Sequence, residues 1–282
     1  MIGRICGRKY KVKKIIYTAH GFHFYKGAPL INRTIFKWAE QLMARWTDVI
    51  ITMNEEDYEA AREFKLKKGG KVYKVHGVGI TLSEFQDLED KREVKRKELG
   101  LSSKEIMLIS AGDLVKRKNY DVAIKAIAKS NNPNLKYFIC GRGPQLEQLK
   151  NLAISLGIEN QVFFLGYRTD VKELMVASDI FLFTTLQEGL PRSMMEAMAC
   201  GLPCVASNIR GNVDLITDGV EGYLCNPIDE NEFWEAISKI LDDNILREKM
   251  RNESKVRIKE FGIDVVKEEI MSIYKDILIA AK

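Results

Sequence analysis

Six short apolar segments recur at regular intervals in the second half of the chain, and amphipathic stretches separate them. The segments are residues 105–110, 135–140, 161–165, 179–184, 203–207 and 221–225. The stretches between them carry apolar residues at the i, i+3, i+4 spacing of helices, as at 120–129, 145–156, 171–177 and 192–199. Strands that alternate with helices form covered parallel sheets, so this half predicts one complete doubly wound α/β domain.

The first half contains fewer strand-like segments. They lie at residues 14–18, 48–52 and 71–75, with helical patterns at 33–45 and 55–64. Glycines in 77–82 indicate a hinge, and the charge-rich stretch 83–99 predicts a connecting helix. A terminal helix at 263–280 carries an apolar stripe of Val266, Ile270, Ile273 and Ile277. That stripe must dock on another surface, for which the small first lobe is a candidate.

Composition excludes several classes of protein. Hydrophobic residues make up 46% of the 282 residues and charged residues 29%, which excludes a disordered chain. The sequence lacks an uninterrupted apolar run of about 18 residues and an apolar signal-peptide core, so we expect neither export nor a membrane span. Five cysteines without a CxxC pair fit a reducing cytosol. Cys200 and Cys204 lack further partners at zinc-ligand spacing, which argues against a metal site.

Positive charge is concentrated in the first hundred residues. They hold 21 Lys and Arg against 13 Asp and Glu, whereas the rest holds 23 against 26. Six cations and no acidic residue lie within the first fourteen positions: Arg4, Arg8, Lys9, Lys11, Lys13 and Lys14. This cluster fits either contact with anionic lipid head groups or a solvated helix end. Nucleic acid is not expected as a partner, because no nucleic-acid module accompanies the charge.

Loops that follow parallel strands are where ligands of such sheets bind. The first such loop, residues 112–119, carries three adjacent cations before a helix, which suits either a diphosphate or a solvated basic turn. The second loop, 141–144, reads Gly-Arg-Gly-Pro and lacks the third glycine of a dinucleotide fingerprint. A tight turn is sufficient to explain it.

The third loop carries the most specific chemistry. Pro191 can begin a helix and Gly201 can end it, so free backbone N–H groups at the helix start form an anion site. These are the N–H groups of Leu190, Arg192 and Ser193. Glu188 precedes this helix and Glu196 lies within it. Carboxylates accept hydrogen bonds from vicinal sugar hydroxyls, so these two predict a sugar site beside an anion site.

Glu188 and Glu196, with Gly-Leu-Pro between them, resemble the Glu-x7-Glu signature of family 4 retaining glycosyltransferases of the GT-B fold. Residues 105–262 resemble the donor-binding domain of that family throughout. Residues 20–27 and the Glu56-Asp57-Tyr58 segment resemble its bacterial capsular and exopolysaccharide branch.

The resemblance implies two Rossmann-like lobes with a cleft between them. Residues 1–82 would form a partial acceptor-side domain, residues 83–262 the donor nucleotide-sugar domain, and residues 263–282 a helix that returns to the first domain. Several βα units that begin the family's first lobe have no counterpart here, so the resemblance implies a truncated first lobe. Residues 1–13 then correspond to the end of a helix.

The resemblance also assigns residues. Glu188 would bind donor-sugar hydroxyls with the backbone of Gly189, Leu190 and Pro191, while Glu196 would hold the ribose. Lys118 would bind the diphosphate. The nucleobase loop would be Gly166, Tyr167 and Arg168. His20 would reach the donor sugar, and with Glu188 it forms the predicted catalytic pair.

The chain departs from the family pattern at three positions. Asp113 stands where an arginine commonly follows the phosphate-loop glycine, so Arg117 or Lys116 would have to supply that charge. His76 and Thr81 stand where the hinge usually has proline and aspartate. Neither departure removes the Glu-x7-Glu signature.

The implied function is hexosyl transfer from a nucleotide-diphosphate sugar, with UDP expected, to a lipid-linked saccharide in capsular polysaccharide, exopolysaccharide or lipopolysaccharide synthesis. No cofactor and no metal are implied, and the expected location is the cytoplasm or the inner face of the cell membrane. An alternative is a nucleotide-sugar-binding remnant without turnover. An NAD-dependent oxidoreductase would rest on Gly141 and Gly143 alone and would leave both glutamates unexplained.

Overall fold

The computed structural model describes residues 2–279, which fold into two compact units. The first unit runs to Gly79 and adds Glu188–Leu190 and the chain from Glu260 onward, while the second comprises Ile80–Gln187 and Pro191–Lys259. The division after Gly79 falls within the glycine-containing segment 77–82. Among residues 2–279, no helix is long and apolar enough to cross a lipid bilayer.

The second unit is built on a six-stranded parallel sheet with the order β6-β5-β4-β7-β8-β9. Its strands are β4 (Ile106–Ala111), β5 (Leu135–Cys140), β6 (Val162–Gly166), β7 (Ile180–Phe183), β8 (Cys204–Ser207) and β9 (Gly222–Cys225). Each lies within two residues of a segment predicted from the sequence. The chain starts at the sheet centre with β4, moves outward to β6, and returns across the centre to β7, so helices cover both faces.

Helices of the second unit connect these strands. They are α4 (Lys91–Glu98), α5 (Tyr120–Ala128), α6 (Leu146–Ser155), α7 (Val171–Ala177), α8 (Arg192–Ala199), α9 (Asn212–Leu215), α10 (Glu230–Asp242) and α11 (Asn244–Arg257). The prediction of one helix across 83–99 was wrong. The structure has a 3₁₀ turn at Leu82–Phe85 and then α4, because Asp87 adopts φ 54° and interrupts the helix.

The first unit contains a three-stranded parallel sheet in the order β1-β2-β3. Its strands are β1 (Ile16–Thr18), β2 (Val49–Thr52) and β3 (Lys71–Lys74). Its helices are α1 (Ile2–Lys9), α2 (Lys37–Ala44), α3 (Glu55–Arg62) and α12 (Ile263–Ile279), and a π-helical turn, Asn32–Phe36, leads into α2. The prediction for the terminal helix extended to residue 280, which lies outside the described residues.

Alternation along β2 divides the first unit into two cores. Ile50 points to a core with Phe22 and Phe24 of the 20–26 loop and Phe64 of the turn after α3. Its neighbour Ile51 points to the opposite face, where Ile273 and Ile277 of α12 cover the sheet. Ile270, Ile273 and Ile277 of the apolar stripe therefore pack on the first-unit sheet.

Candidate active site

The centre of the second-unit sheet is a topological switch point. Successive connections leave β4 toward one edge of the sheet and leave β7 toward the other, which opens a crevice between the carboxyl ends of these strands. The loop after β4 contains the cations Lys116, Arg117 and Lys118, and the loop after β7 leads to α8. Two of the three loops singled out in the sequence therefore meet at this point.

Hydrogen bonds fix the basic turn to the end of β7. The Arg117 carbonyl oxygen accepts from the Leu186 backbone N–H at 2.7 Å, and the Thr184 hydroxyl donates to the Lys118 carbonyl oxygen at 3.1 Å. The Arg117 guanidinium donates to the Gln187 carbonyl oxygen at 3.4 Å. The two loops therefore hold each other in place. Lys116 and Asp113 of the same turn are exposed.

The ammonium group of Lys118 lies over the switch point. Its Nζ is 4.7 Å from the centre of the Phe183 ring, at the end of β7. A Cβ atom on Gly112 would lie 3.2 Å from Lys118 Cε, so glycine leaves room for the lysine to fold back over the end of β4. This places a cation where an anionic ligand of the sheet would bind.

Glycines 141 and 143 have a packing explanation. A Cβ on Gly141 would lie 1.9 Å from the Gly112 carbonyl oxygen, and one on Gly143 would lie 2.3 Å from the Leu114 carbonyl oxygen. The strand ends are tied together by the Gly112 N–H, which donates to the Cys140 carbonyl oxygen at 2.9 Å. Close backbone contact, rather than a dinucleotide, accounts for both glycines.

Helix α8 begins and ends as its sequence predicts. Pro191 occupies the N-cap position, and after Ala199 the chain turns through Gly201 at φ 72°. The Leu202 N–H donates to the Ala197 carbonyl oxygen at 3.0 Å, which closes a Schellman motif. The start of α8 is electropositive and carries backbone N–H groups without partners inside the helix.

Glu196 lies in the second turn of α8 and is half-buried. Its Oε1 accepts from Arg192 Nε at 2.9 Å, an i,i+4 pair along the helix surface. A carboxylate has about four lone-pair sites, so this ion pair orients Glu196 and leaves it able to accept from hydroxyl groups.

The predicted nucleobase loop follows β6, two strands from β4. Tyr167 is 69% exposed, whereas the Arg168 guanidinium is bound to Asp170 at 2.6 and 2.7 Å and to Glu98 at 2.8 Å. These bonds raise the pKa of Arg168, and they hold the pKa of Asp170 far below its usual value. The side chain of Arg168 thus anchors its loop to α4, while Tyr167 stays exposed.

Sequence reasoning missed Arg142 as a neighbour of this loop. Its guanidinium carbon lies 5.9 Å from the centre of the Tyr167 ring, and its Nε is 3.9 Å from where a Cβ of Gly166 would lie. The signal was present in the sequence, because Arg142 is the single cation of the loop that follows β5.

His20 and Glu188 both belong to the first unit. His20 is exposed and Glu188 is half-buried. Their segments touch through the backbone, since a Cβ on Gly189 would lie 1.9 Å from the His20 carbonyl oxygen. Leu190 then packs against the core under α12. The backbone contact at Gly189 thus fixes the distance between the two predicted catalytic segments.

Metal ligands do not cluster in the described part of the chain. Within residues 2–279, no three His, Cys, Asp or Glu side chains are placed to hold a metal ion. A reaction without a metal stays a prediction drawn from the resemblance.

Comparison with known proteins places the chain among glycosyltransferases. Residues 91–257 match the model of the family described as glycosyl transferases group 1. EpsD of Bacillus subtilis, named as a glycosyltransferase, is 31% identical over 93% of this chain and 69% of its own length. The UDP-Gal:alpha-D-GlcNAc-diphosphoundecaprenol alpha-1,3-galactosyltransferase of Escherichia coli is 29% identical over 99% of this chain and 73% of its own length.

Solved structures agree on the fold. HepE of Anabaena, solved in complex with UDP and with UDP-glucose, superimposes with a TM-score of 0.85 in each case. The identity is 21% and 22%, and the match covers 98% of this chain and 75% of the other. Together with the parallel sheets, these matches identify a GT-B fold. The chain belongs to the glycosyl transferases group 1 family and is a glycosyltransferase.

Proposed function

We propose that this glycosyltransferase moves a hexose from a UDP-sugar to a lipid-linked saccharide, with retention of anomeric configuration, in the synthesis of a surface polysaccharide. The observation that carries the proposal is Lys118 Nζ at the switch point between β4 and β7, beside the basic turn that is bonded to the β7 end. The name of the Escherichia coli relative supports this proposal, since that protein transfers galactose from UDP-Gal to a diphosphoundecaprenol-linked sugar.

In the proposed reaction, the bond between the anomeric carbon and the diphosphate oxygen breaks, and the acceptor hydroxyl oxygen bonds to that carbon. The hydroxyl proton passes to the departing UDP, so atoms and charge balance. Negative charge develops on the diphosphate, where Lys118, Arg117 and the N-terminus of α8 stabilise it by fixed charge and dipole. The new bond forms on the face that the diphosphate leaves.

The remaining predicted residues would bind the rest of the donor. Glu196 would accept hydrogen bonds from the ribose hydroxyls, and the loop of Gly166, Tyr167 and Arg168 would frame the base. His20 and Glu188 would contact the donor sugar, together with the backbone of residues 189–191. No metal ion takes part in this proposal.

Donor binding is tested by calorimetry with UDP and UDP-glucose. Lys118→Ala should weaken UDP binding about 30-fold and Glu196→Ala about 10-fold, because each removes a charge-assisted contact. Lys125→Ala on α5 and Glu235→Ala on α10 are the controls, since both residues are exposed and lie on helix surfaces outside the crevice. Unchanged affinity in both site variants would show that the donor binds elsewhere.

Transfer is tested with UDP-glucose, UDP-galactose and their N-acetylated forms, and a prenyl-diphosphate-linked N-acetylhexosamine as acceptor. We expect one donor to give a disaccharide product with release of UDP, and the anomeric proton coupling of the product to match that of the donor. UDP binding without transfer from any of these donors would refute the hexosyl transfer proposed here. A product with the opposite anomeric configuration would refute retention alone.

We further propose that the first unit contacts an anionic membrane at the inner face of the cell membrane. Five of the six clustered cations, Arg8, Lys9, Lys11, Lys13 and Lys14, are exposed, while Arg4 is buried against Tyr17 and Glu40. A second exposed segment combines one cation with four apolar side chains, namely Arg33 with Leu30, Ile31, Ile35 and Trp38. Such surfaces suit a lipid interface with anionic head groups.

Liposome flotation tests this contact. Vesicles with 30% phosphatidylglycerol should carry the protein upward, and neutral phosphatidylcholine vesicles should not. Replacing Lys9, Lys11 and Lys13 by Ser should reduce flotation, because each cation near the surface contributes about 1 kcal/mol. Equal flotation on both vesicles would contradict an electrostatic contact.

A further inference from the structure

The first turn of α3 contains a buried polar pair that the predicted active site does not include. Asn54 is fully buried and Asp57 is 1% exposed. Asn54 caps the helix, since its side-chain oxygen accepts from the Asp57 N–H at 2.9 Å. Buried amides and carboxylates are costly unless they are hydrogen-bonded, so the other atoms of this pair need partners.

Those partners are two loops of the predicted active site. Asn54 Nδ2 donates to Asp57 Oδ2 at 2.9 Å and to the Gly189 carbonyl oxygen at 3.1 Å. The same Asp57 oxygen accepts from the Phe22 N–H at 3.1 Å. A buried chain of hydrogen bonds therefore connects a residue two positions after His20 to the residue directly after Glu188.

The two loops are in direct backbone contact. A side chain on Gly189 would collide with the His20 carbonyl oxygen, so the backbones already touch. The far end of the His20 loop is held separately, because the Lys26 N–H donates to Glu56 Oε1 at 2.7 Å. The first turn of α3 therefore holds the His20 loop at Phe22 and at Lys26. Asn54 adds the hydrogen bond to the Gly189 carbonyl oxygen.

Helix capping does not explain why this residue is asparagine. Serine or aspartate at Asn54 would cap α3 through an oxygen about as well. Neither would place an amide N–H against the Gly189 carbonyl, whereas the side-chain nitrogen of asparagine does so in the structure. The hydrogen bond to Gly189, and not the cap, is therefore what asparagine provides at this position.

We propose that Asn54 is a positioning residue, which fixes the His20 and Glu188 segments relative to each other through Gly189 and Asp57. The inference rests on the proposed roles of His20 and Glu188. It places the geometric control of sugar transfer in the first turn of α3, apart from the groups proposed to bind the nucleotide. Turnover and nucleotide affinity should therefore respond separately to substitutions at this position.

Two substitutions separate positioning from capping. Asn54→Asp is nearly isosteric and keeps the cap, but it places a carboxylate oxygen against the Gly189 carbonyl and Asp57. Asn54→Ser keeps the cap and does not reach Gly189. Both should lower kcat about 100-fold, the size expected for a displacement of about 1 Å at reacting groups. Both should leave the Kd for UDP within about twofold of the unsubstituted protein.

Asp243→Ser is the matched control. Asp243 caps α11 by accepting from the Leu246 N–H at 2.9 Å and lies on an exposed helix end. Its substitution changes a cap without touching either loop, so kcat and the Kd for UDP should both stay within about twofold. Normal turnover by folded Asn54→Ser and Asn54→Asp would overturn the proposal, and so would a loss of UDP affinity in step with kcat.

Amide exchange gives a readout that does not need activity. In Asn54→Ser, the amides of residues 21–24 and 189–190 should exchange at least tenfold faster, while those of β4 and β7 should not change. Unchanged exchange in these loops would also overturn the proposal. Failure of the proposed function would be seen differently, as absence of transfer by the unsubstituted protein.

Discussion

The two parallel sheets differ in how their cores are covered. In the second unit, every residue of β7 and five of six in β4 are buried. In the first unit, β2 is buried, whereas β1 and β3 contain no fully buried residue. One face of that smaller sheet is covered by α12, which comes from nearly two hundred residues further along the chain. The second unit thus builds its core from consecutive elements, and the first depends on distant ones.

The largest expected effect comes from weakening the packing of α12 on the first-unit sheet. Ile273 is 5% exposed and packs on the core of Val49, Ile51 and Val75. Ile273→Ala should lower the free energy of unfolding of the first unit by about 3 kcal/mol, since truncation leaves a cavity. Native-state amide exchange checks this, with β2 amides exchanging about 100-fold faster and β4 amides unchanged.

Leu278→Ala is the control on the same helix. Leu278 is 66% exposed, so its truncation should change exchange in β2 by less than about threefold. Equal acceleration of β2 and β4 amides in Ile273→Ala would show that the two sheets unfold together. The two sheets would then differ in packing but not in independent stability.

The sequence predicted strand positions in both units, since each described strand lies within two residues of a predicted segment. In the second unit, short apolar runs located all six strands, because strands covered by helices on both faces of a parallel sheet are rich in apolar residues. The interruption at Asp87 was missed, since a positive φ in one polar residue leaves no trace in periodicity.

Within the candidate site, the motif indicated Lys118 and Glu196 from loop position and residue type. It could not show that Asn54 reaches Gly189, because that hydrogen bond joins residues 135 positions apart. The commitment of Arg168 to Asp170 and Glu98 was hidden for a similar reason, since Glu98 is 70 positions from Arg168. Long-range polar contacts of this kind have no periodic signal in a single sequence.

A second prediction tests the rigidity of the larger sheet at its carboxyl edge. Gly141→Ala places a Cβ 1.9 Å from the Gly112 carbonyl oxygen, and neither strand end can move freely. We expect a loss of about 2 kcal/mol from the free energy of unfolding of the second unit. The β4 and β5 amides should exchange faster, and UDP binding should weaken because Lys118 lies over Gly112.

Gly100→Ala provides the matched control. Gly100 adopts φ 70°, and a Cβ there would meet nothing within 4 Å. Its cost should be about 1 kcal/mol, from backbone strain alone. If both alanine variants lower the free energy of unfolding equally, the ends of β4 and β5 can move apart to accept the added Cβ atom.

A third prediction concerns the ion pairs that hold α4 to the start of α7. Asp170 accepts from Arg168 and from Lys95 Nζ at 2.6 Å, and these bonds depress its pKa. A carboxylate with a lowered folded-state pKa stabilises the protein above its unfolded pKa near 4 and loses that contribution as the pH falls further. Asp170→Asn should therefore cost about 1.5 kcal/mol at pH 7.

Urea unfolding from pH 7 to pH 2 measures this contribution. The difference between the unsubstituted protein and Asp170→Asn should stay constant above pH 5 and shrink below pH 4. Asp90→Asn, in an exposed pair with Lys91, should show a difference of less than about 0.5 kcal/mol throughout. A gap for Asp170→Asn that does not narrow in acid would mean that the carboxylate charge contributes nothing.

The smallest expected change uses cysteine reactivity to compare the units without altering the fold. The first unit contains exposed Cys6, whereas the four cysteines of the second unit are buried. Burial raises the pKa of Cys140, Cys200 and Cys225 to about 12, so at pH 8 only about one in ten thousand of these thiols is ionised. A thiol reagent should therefore label one cysteine quickly, and Cys6→Ser should remove that phase with no change in thermal stability. The slow phase of labelling then measures how often the second unit opens to expose its four cysteines. Fast labelling of those four cysteines in Cys6→Ser would show that the core of the second unit is not closed.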